Sequence, residues 1–376
     1  MSLTRILHVA ALLLSVCACG TTNSPVQEFH FYHAQGTNIV DDQQRPARLR
    51  GVAFGNEVWS DARIPKLHHS EEDYARVKAM GMNLVRFYLN YRTLEDDANP
   101  YVYLDDGWAW IDNNIAWAKA QGIYLILNIH VPPGGYQSLG DGAALWESEE
   151  LQNRLIALWK AIAKRYANEP VVFGFDLLNE PGVTQNKQQW QTLAQSITDG
   201  IREVNQRHPV IVEKVNSVAR TWDVDAELNF VKIRDNNVIY TFHFYSPFDY
   251  THQYAPWIEY SREREGGRWP EPARGNTREA LARELDQFVA WGKANDVPLF
   301  LGEWGVYKST FEEDRGGIIW VQDMLELIDE RNLINTYHTY HEESFGIFRG
   351  DGKLDPENRN RALHDLLVRH YSTKPN

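Results

Sequence analysis

Along this chain, short runs that are apolar at nearly every position alternate with longer segments whose apolar residues recur every three or four. Eight short runs stand out, at residues 49–54, 83–89, 124–130, 171–179, 210–215, 238–245, 298–303 and 335–340. A run that does not alternate with polar residues suits a parallel strand covered on both faces. The longer segments read as helices. Ser70 followed by Glu71, Glu72 and Asp73 is a helix start, and Gly81 a stop. Further helical patterns cover 110–121, ended by Gly122, then 146–167, 185–205, 277–295, 316–331 and 358–371. Only the connection after the fifth run, around 219–228, lacks one. Residues 29–33 and 37–40, joined at Gln35-Gly36, predict a small N-terminal β-hairpin that covers the fold without entering its core. Strand followed by helix, repeated about eight times, is the arithmetic of a single (β/α)8 TIM barrel. The rival doubly wound sheet would want a glycine-rich phosphate loop after its first strand, and none follows residue 54. A long aromatic and charged loop insertion, 246–275, follows the sixth strand; on a barrel it falls at the C-terminal mouth, where such folds carry their chemistry.

Composition narrows the class. The 376 residues are 43% hydrophobic and 24% charged, values of a folded chain rather than a disordered or fibrous one. With 38 Lys+Arg against 51 Asp+Glu the net charge is −13, which argues against nucleic acid as a partner. The 13 Trp add a compositional hint of sugar stacking. Both cysteines, Cys17 and Cys19, precede the expected fold, which can therefore hold no disulfide framework, cysteine nucleophile or zinc–thiolate site. The opening itself reads as a signal peptide over 1–18: Arg5, an apolar run from Ile6 to Val16, then small residues. Val16-Cys17-Ala18-Cys19 resembles a bacterial lipobox with Cys19 as the acylated residue. The expected product is an exported, lipid-anchored chain, with a tether over 19–28 and the barrel over 29–376. Gly20 carries no aspartate-type retention signal, which favours the outer membrane if the cell is Gram-negative.

The chemistry is written where strands end. The fourth run closes on Asn179-Glu180-Pro181 and the seventh on Glu303-Trp304-Gly305. A barrel strand presents its last residue to the active site, so two glutamates there, on strands four and seven, face each other across one mouth. Carboxylates about 5–5.5 Å apart make one a nucleophile and the other an acid/base, whereas about 6.5–9.5 Å leaves room for an inverting water.

These residues have company. Leu49-Arg50-Gly51-Val52, Asn83-Leu84-Val85-Arg86, Asn128-Ile129-His130, Asn179-Glu180-Pro181, His243-Phe244-Tyr245 and Gly302-Glu303-Trp304-Gly305 follow one another on successive strands. In this order the set resembles glycoside hydrolase family 5, the cellulase-type retaining TIM-barrel glycosidases, over nearly the whole chain. The resemblance implies Glu180 as general acid/base and Glu303 as nucleophile. It implies Arg86 and Tyr245 as partners that keep Glu303 anionic, Asn179 as the ligand of the sugar 2-hydroxyl, and His130 and His243 as sugar-binding or supporting histidines. Trp304 is expected in a subsite floor. The sequence departs from the family at strand eight, where a stacking Trp is usual: residues 335–343 contain none, and Tyr340, Tyr337 or His341 is expected in its place. His338, His341 and Glu342 do not read as a metal site, because 338 and 341 fall on different faces of a strand. His68-His69 reads as a solvated loop. Loop aromatics Trp59, Tyr136, Trp146, Trp222, Trp257 and Trp269 are candidate sugar platforms, whereas tryptophans on helical patterns read as core.

The function expected is hydrolysis of a β-glucan-type polysaccharide or oligosaccharide by a monomer without cofactor or metal, first as an endo-β-1,4-glucanase. Mannanase, xyloglucanase and exo-β-1,3-glucanase are the alternatives within the family. A non-catalytic surface glycan-binding lipoprotein is the alternative outside it. A phosphate-handling barrel lacks its glycine-rich loop after strands seven and eight.

Overall fold

The computed structural model describes residues 28–258 and 266–372. The signal segment, Cys19 and the tether as far as Gln27 lie outside the described residues. Eight parallel strands close into a barrel: β1 (Arg50–Phe54), β2 (Leu84–Asn90), β3 (Tyr124–Val131), β4 (Val172–Asp176), β5 (Val210–Glu213), β6 (Val238–Phe244), β7 (Leu299–Trp304) and β8 (Ile334–Tyr337), with β8 pairing back onto β1. Each matches one of the eight apolar runs. The largest differences are at β4, which stops at Asp176, and β8, which stops at Tyr337, before their loops begin.

Seven long helices pack outside: α1 (Glu71–Ala79), α2 (Asp105–Gln121), α3 (Glu149–Arg165), α4 (Gln188–Arg202), α5 (Arg278–Asn295), α6 (Gly317–Glu330) and α7 (Arg361–Ser372). None of them is long and apolar enough to cross a membrane. Helix α1 starts as expected, the Ser70 amide donating to Asp73 Oδ2 at 2.7 Å, and Gly81 ends it at φ +80°. Helix α2 begins five residues before the first expected apolar position, on Asp105 and Asp106, acidic residues suited to the first-turn dipole. The expected helix 146–167 is broken: Ser148 is extended, ends the short helix Ala143–Glu147 and caps α3. No long helix follows β5. There Ser217–Val218 instead pairs with Gly182–Val183, which ties the loops after β4 and β5 together.

The barrel floor is apolar. Leu84, Tyr124, Ile126, Phe173, Ile211, Ile239, Phe300 and Ile334 fill its lower interior. The N-terminal hairpin, Tyr32–Gln35 with Asn38–Asp41, seals this end as Phe29 and Tyr32 pack edge-on against Tyr124. Its turn is Gly36-Thr37, one residue later than Gln35-Gly36, because Gly36 takes the left-handed position at φ +57°. With the floor plugged, only the opposite mouth is left for chemistry.

Closure of the ring depends on Gly51, where a Cβ would lie 1.8 Å from the Leu84 carbonyl oxygen. Gly51→Ala should therefore lower the unfolding free energy by about 3 kcal/mol or more in urea titrations; a loss under about 1 kcal/mol would show that β1 and β2 can part without cost.

Candidate active site

The period of two along β2 aims Leu84, Arg86 and Tyr88 inward, one above another. Leu84 belongs to the floor; Arg86, fully buried, is the first polar layer above it. Its guanidinium uses every edge. Nε donates to Asp176 Oδ2 at 2.7 Å, Nη1 to Glu303 Oε1 at 2.5 Å and to the Tyr88 hydroxyl at 3.2 Å, and Nη2 to Asn179 Oδ1 at 2.9 Å. The Glu303 carboxylate also accepts from the Tyr88 hydroxyl at 2.6 Å and the Tyr245 hydroxyl at 2.8 Å.

Glu303 faces inward because the β6–β7 register slips beside it: Phe242 pairs with Leu301, but His243 with Glu303. Strict alternation from Phe300 would send residue 303 into the helix layer; the slip at Gly302 turns it into the barrel. Gly302 is needed for this, since a Cβ there would lie 2.7 Å from Thr241 Oγ1.

Glu180 follows β4 in a left-handed conformation, φ +44°. Its Oε1 lies 2.8 Å from His243 Nδ1, and the same nitrogen is 3.4 Å from Glu303 Oε2. One oxygen of each carboxylate lies within 4.8 Å of the other. That approach is on the side of the shorter spacing, the one a nucleophile and acid/base pair uses.

The electrostatics separate the carboxyls. Burial would raise Glu303, but the charges of His243, His338 and Arg86 outweigh it and hold the group well below the ordinary carboxylate range. Burial raises Asp176, with Arg86 pulling back. Burial is also the main reason Glu213, at the end of β5, is pushed up to about 8. His243 is lowered by burial yet raised on balance by Glu213, Glu303 and Glu180. His130 is buried and held well below its usual value, hence neutral. Its ring stacks on Tyr88 at 4.0 Å and on Tyr136 at 5.8 Å, with Trp59 edge-on at 6.5 Å.

Residues 40–344 match the profile of the family described as Cellulase (glycosyl hydrolase family 5). The chain belongs to glycosyl hydrolase family 5. It is thereby a glycoside hydrolase of a retaining family. It is 28% identical over 309 residues to Endoglucanase C of Acetivibrio thermocellus, covering 76% of this chain and 87% of that one. It is also 28% identical over 367 residues to an endoglucanase of Paenibacillus polymyxa, 90% and 86% respectively. Endoglucanase Cel5A of Thermotoga maritima, solved with mannotriose, superposes with a TM-score of 0.69 at 26% identity, covering 85% of this chain and 97% of that one. The same enzyme has been solved with cellobiose.

Against the residues the family resemblance implied, the structure gathers Arg86, His130, Asn179, Glu180, His243, Tyr245 and Glu303 around one cleft. Two it does not. Trp304 adjoins Glu303 on the strand and so faces the other way: it is fully buried beside Trp320, its indole N–H donating to Asn335 Oδ1 at 3.0 Å. Tyr340 is fully buried outside the barrel, donating to Asp73 Oδ1 of α1 at 2.7 Å and packing on Phe54. Tyr337 likewise packs on Trp304, and His341 Nδ1 bonds the His68 carbonyl. The strand-eight side chain that enters the cleft is His338, 3.1 Å from the Tyr88 hydroxyl and 3.9 Å from Glu303 Oε2.

His68 and His69 are buried rather than solvated, bonded to each other through Nδ1 at 2.8 Å, with burial lowering both. Among the loop aromatics, Trp146 and Trp269 are buried packing residues, while Trp59, Trp222 and Trp257 stay exposed. Tyr88, Asp176 and Glu213 were not singled out from the sequence, and His338 only within a metal site that was set aside. A signal existed for the first three: Tyr88 shares Arg86's face two residues on, Asp176 opens the stretch that runs to Glu180, and Val-Ile-Val-Glu closes β5 on a carboxylate as Glu303 all but closes β7.

A carboxylate whose folded pKa is depressed stabilises the fold above its ordinary pKa and loses that contribution as pH falls through the folded value. Arg86→Met, which leaves Glu303 and Asp176 without their cation, should cost about 3–5 kcal/mol near neutral pH. The gap to wild type should narrow on acidification below the ordinary carboxylate range, as Glu303 protonates. Urea unfolding near neutral pH and again well below the ordinary carboxylate range checks this, and a gap independent of pH would contradict the pairing.

Proposed function

We propose that this family 5 enzyme is an endo-β-1,4-glucanase working by a two-glutamate retaining mechanism. The observation that carries it is the pair Glu180 and Glu303, within 4.8 Å of one another, one of them held anionic by Arg86 and histidine charges. Glu303 attacks the anomeric carbon while Glu180 gives its proton to the leaving glycosidic oxygen. Glu180 then takes a proton from water, which releases the sugar from Glu303 with its configuration retained. Asn179, fixed by Arg86 and by Ser138 Oγ at 3.2 Å, is the ligand for the sugar 2-hydroxyl. The names of the Acetivibrio and Paenibacillus relatives support the glucanase reading. A second reading, cleavage of β-mannan, is favoured by the mannotriose complex of the Thermotoga enzyme. His338, standing where the family usually has Trp, offers the bound sugar a polar wall in place of a flat ring. For the cell, the reading is a monomer exported by residues 1–18 and held to the envelope by lipid on Cys19.

Glu303→Gln should lower turnover of polymer and of activated aryl glycosides alike, on the order of 10⁴-fold, which is ~5.5 kcal/mol of barrier. Substantial residual activity would remove Glu303 from the nucleophile's role. Product sizing over cellulose, glucomannan, mannan, xyloglucan, mixed-linkage and β-1,3-glucan decides between the readings, with short oligomers from β-1,4-glucan expected.

A further inference from the structure

The mechanism above uses two carboxyls, but the cleft holds a third with no part in it. Glu213 ends β5 almost wholly buried. Its Oε2 accepts the backbone N–H of Glu180 at 2.9 Å, and so pins the acid/base at the residue where the chain turns left-handed. Its Oε1 lies 3.4 Å from His243 Nδ1, the nitrogen that is also 2.8 Å from Glu180 Oε1 and 3.4 Å from Glu303 Oε2. One imidazole nitrogen thus faces three carboxyls.

Charge limits how many of them can ionise. The cations facing Glu213 are His243 from β6 and Arg86 from β2, whose Nη2 is 3.9 Å away, with Lys214 next along its own strand. The acids around it are Asp176 and Glu180 from β4 and its loop. Arg86 is already engaged by Asp176 and Glu303. Ionising both Glu180 and Glu213 would place two more negative charges around His243, which is itself almost wholly withdrawn from water. Negative charges that share one cation disfavour each other, and Glu213, the more deeply buried of the two, is the one whose charged form burial opposes.

We propose that Glu213 is a positioning residue that stores the proton for the acid/base, and that His243 Nδ1 is the bridge by which this proton reaches Glu180. The inference rests on Glu180 being the acid. His243, as the imidazolium that its three carboxyl neighbours favour, gives its Nδ1 proton to the Glu180 carboxylate and becomes neutral, then takes a proton from the Glu213 carboxyl and is an imidazolium again. Glu180 becomes the acid, Glu213 the carboxylate facing Arg86 and His243, and the imidazole is unchanged. Burial, which pushes Glu213 up to about 8, suits a group that still holds its proton at neutral pH.

The test is Glu213→Gln, which keeps an acceptor for the Glu180 amide but cannot release a proton. Its readout is kcat/KM on phenyl β-cellobioside, whose leaving group needs an acid, against 2,4-dinitrophenyl β-cellobioside, whose leaving group does not. Near pH 7 the phenyl substrate should fall about tenfold or more while the dinitrophenyl substrate stays within about threefold. Near pH 5 the phenyl rate should recover, so that the basic limb of the profile moves down by about one pH unit or more. The ratio of the two substrates does not depend on how much of a preparation is folded. Glu213→Asp, which retracts the carboxyl by one carbon, should change the ratio in the same direction by less. Equal losses on both substrates, or an unmoved basic limb, would reduce Glu213 to a structural acceptor and leave the two-glutamate reading standing. A wild-type enzyme inert on both cellobiosides would bring down the glucanase reading and this inference together.

Discussion

A guanidinium sealed inside a barrel is tolerable only if its positive charge is matched, and Arg86 is matched by carboxylates from two other strands. Asp176 from β4 and Glu303 from β7 meet it within hydrogen-bond distance, and Asn179 takes the remaining edge. Removing water from these groups is costly, and only the pairing repays it. The same pairing, with the charges of His243 and His338, holds Glu303 well below the ordinary carboxylate range. The stability of the charged layer and the anionic state of Glu303 therefore share one contact. The floor beneath is apolar and plugged by the hairpin, so the charged layer has water on its upper side alone.

Much of this was legible in the sequence, for a physical reason. A parallel barrel buries both faces of each strand, so its strands read as unbroken apolar runs, and the residues that interrupt them at the C-terminal end stand out. Glu180 and Glu303 were visible in this way. What could not be read was facing. Trp304 and Tyr340 lie close to the chemistry in sequence but point into the helix layer, because neighbours on a strand face opposite sides and Tyr340 serves Asp73 of α1. Glu303 itself would have failed the same alternation test from Phe300, had the register slip at Gly302 not turned it inward. Apolar periodicity does not encode such a slip. The glycine that allows it is the trace it leaves.

Strand eight shows how a departure from the family pattern is absorbed. His338 reaches the cleft between the Tyr88 hydroxyl and a second buried acid, Glu342, whose Oε1 lies 3.7 Å from His338 Nε2. Burial raises Glu342, and the charge of His338 pulls it back. The stack of Tyr136, His130 and Tyr88 thus continues to His338, 6.1 Å from the Tyr88 ring, and joins a polar chain continuous with the network around Glu303. An indole there would contribute a flat apolar face; an imidazole contributes charge, and it is the second strongest charge holding Glu303 low. Exposed aromatic faces remain on the loops, in Trp59, Trp222 and Trp257.

Taken together, the cleft is a problem in counting protons. Asp176, Glu180, Glu213, Glu303 and Glu342 crowd a volume whose fixed positive charge is Arg86, with His243 and His338 beside it. Burial opposes the charged form of the acids that Arg86 and the histidines do not neutralise. Glu303 is excused by its direct contact with Arg86. Glu342 lies on the far side of His338, and Asp176 bonds Arg86 itself. Burial raises Asp176, Glu213 and Glu342 alike, and of these Glu213 is the one that meets both His243 and the Glu180 amide; an acid beside the scissile bond must be protonated for a glycosidic oxygen to leave. A retaining glycosidase needs one ionised and one protonated carboxyl at the same pH. Here the surplus of acid is itself the device: crowding more carboxyls around His243 than its charge and that of Arg86 can neutralise keeps a proton beside Glu180.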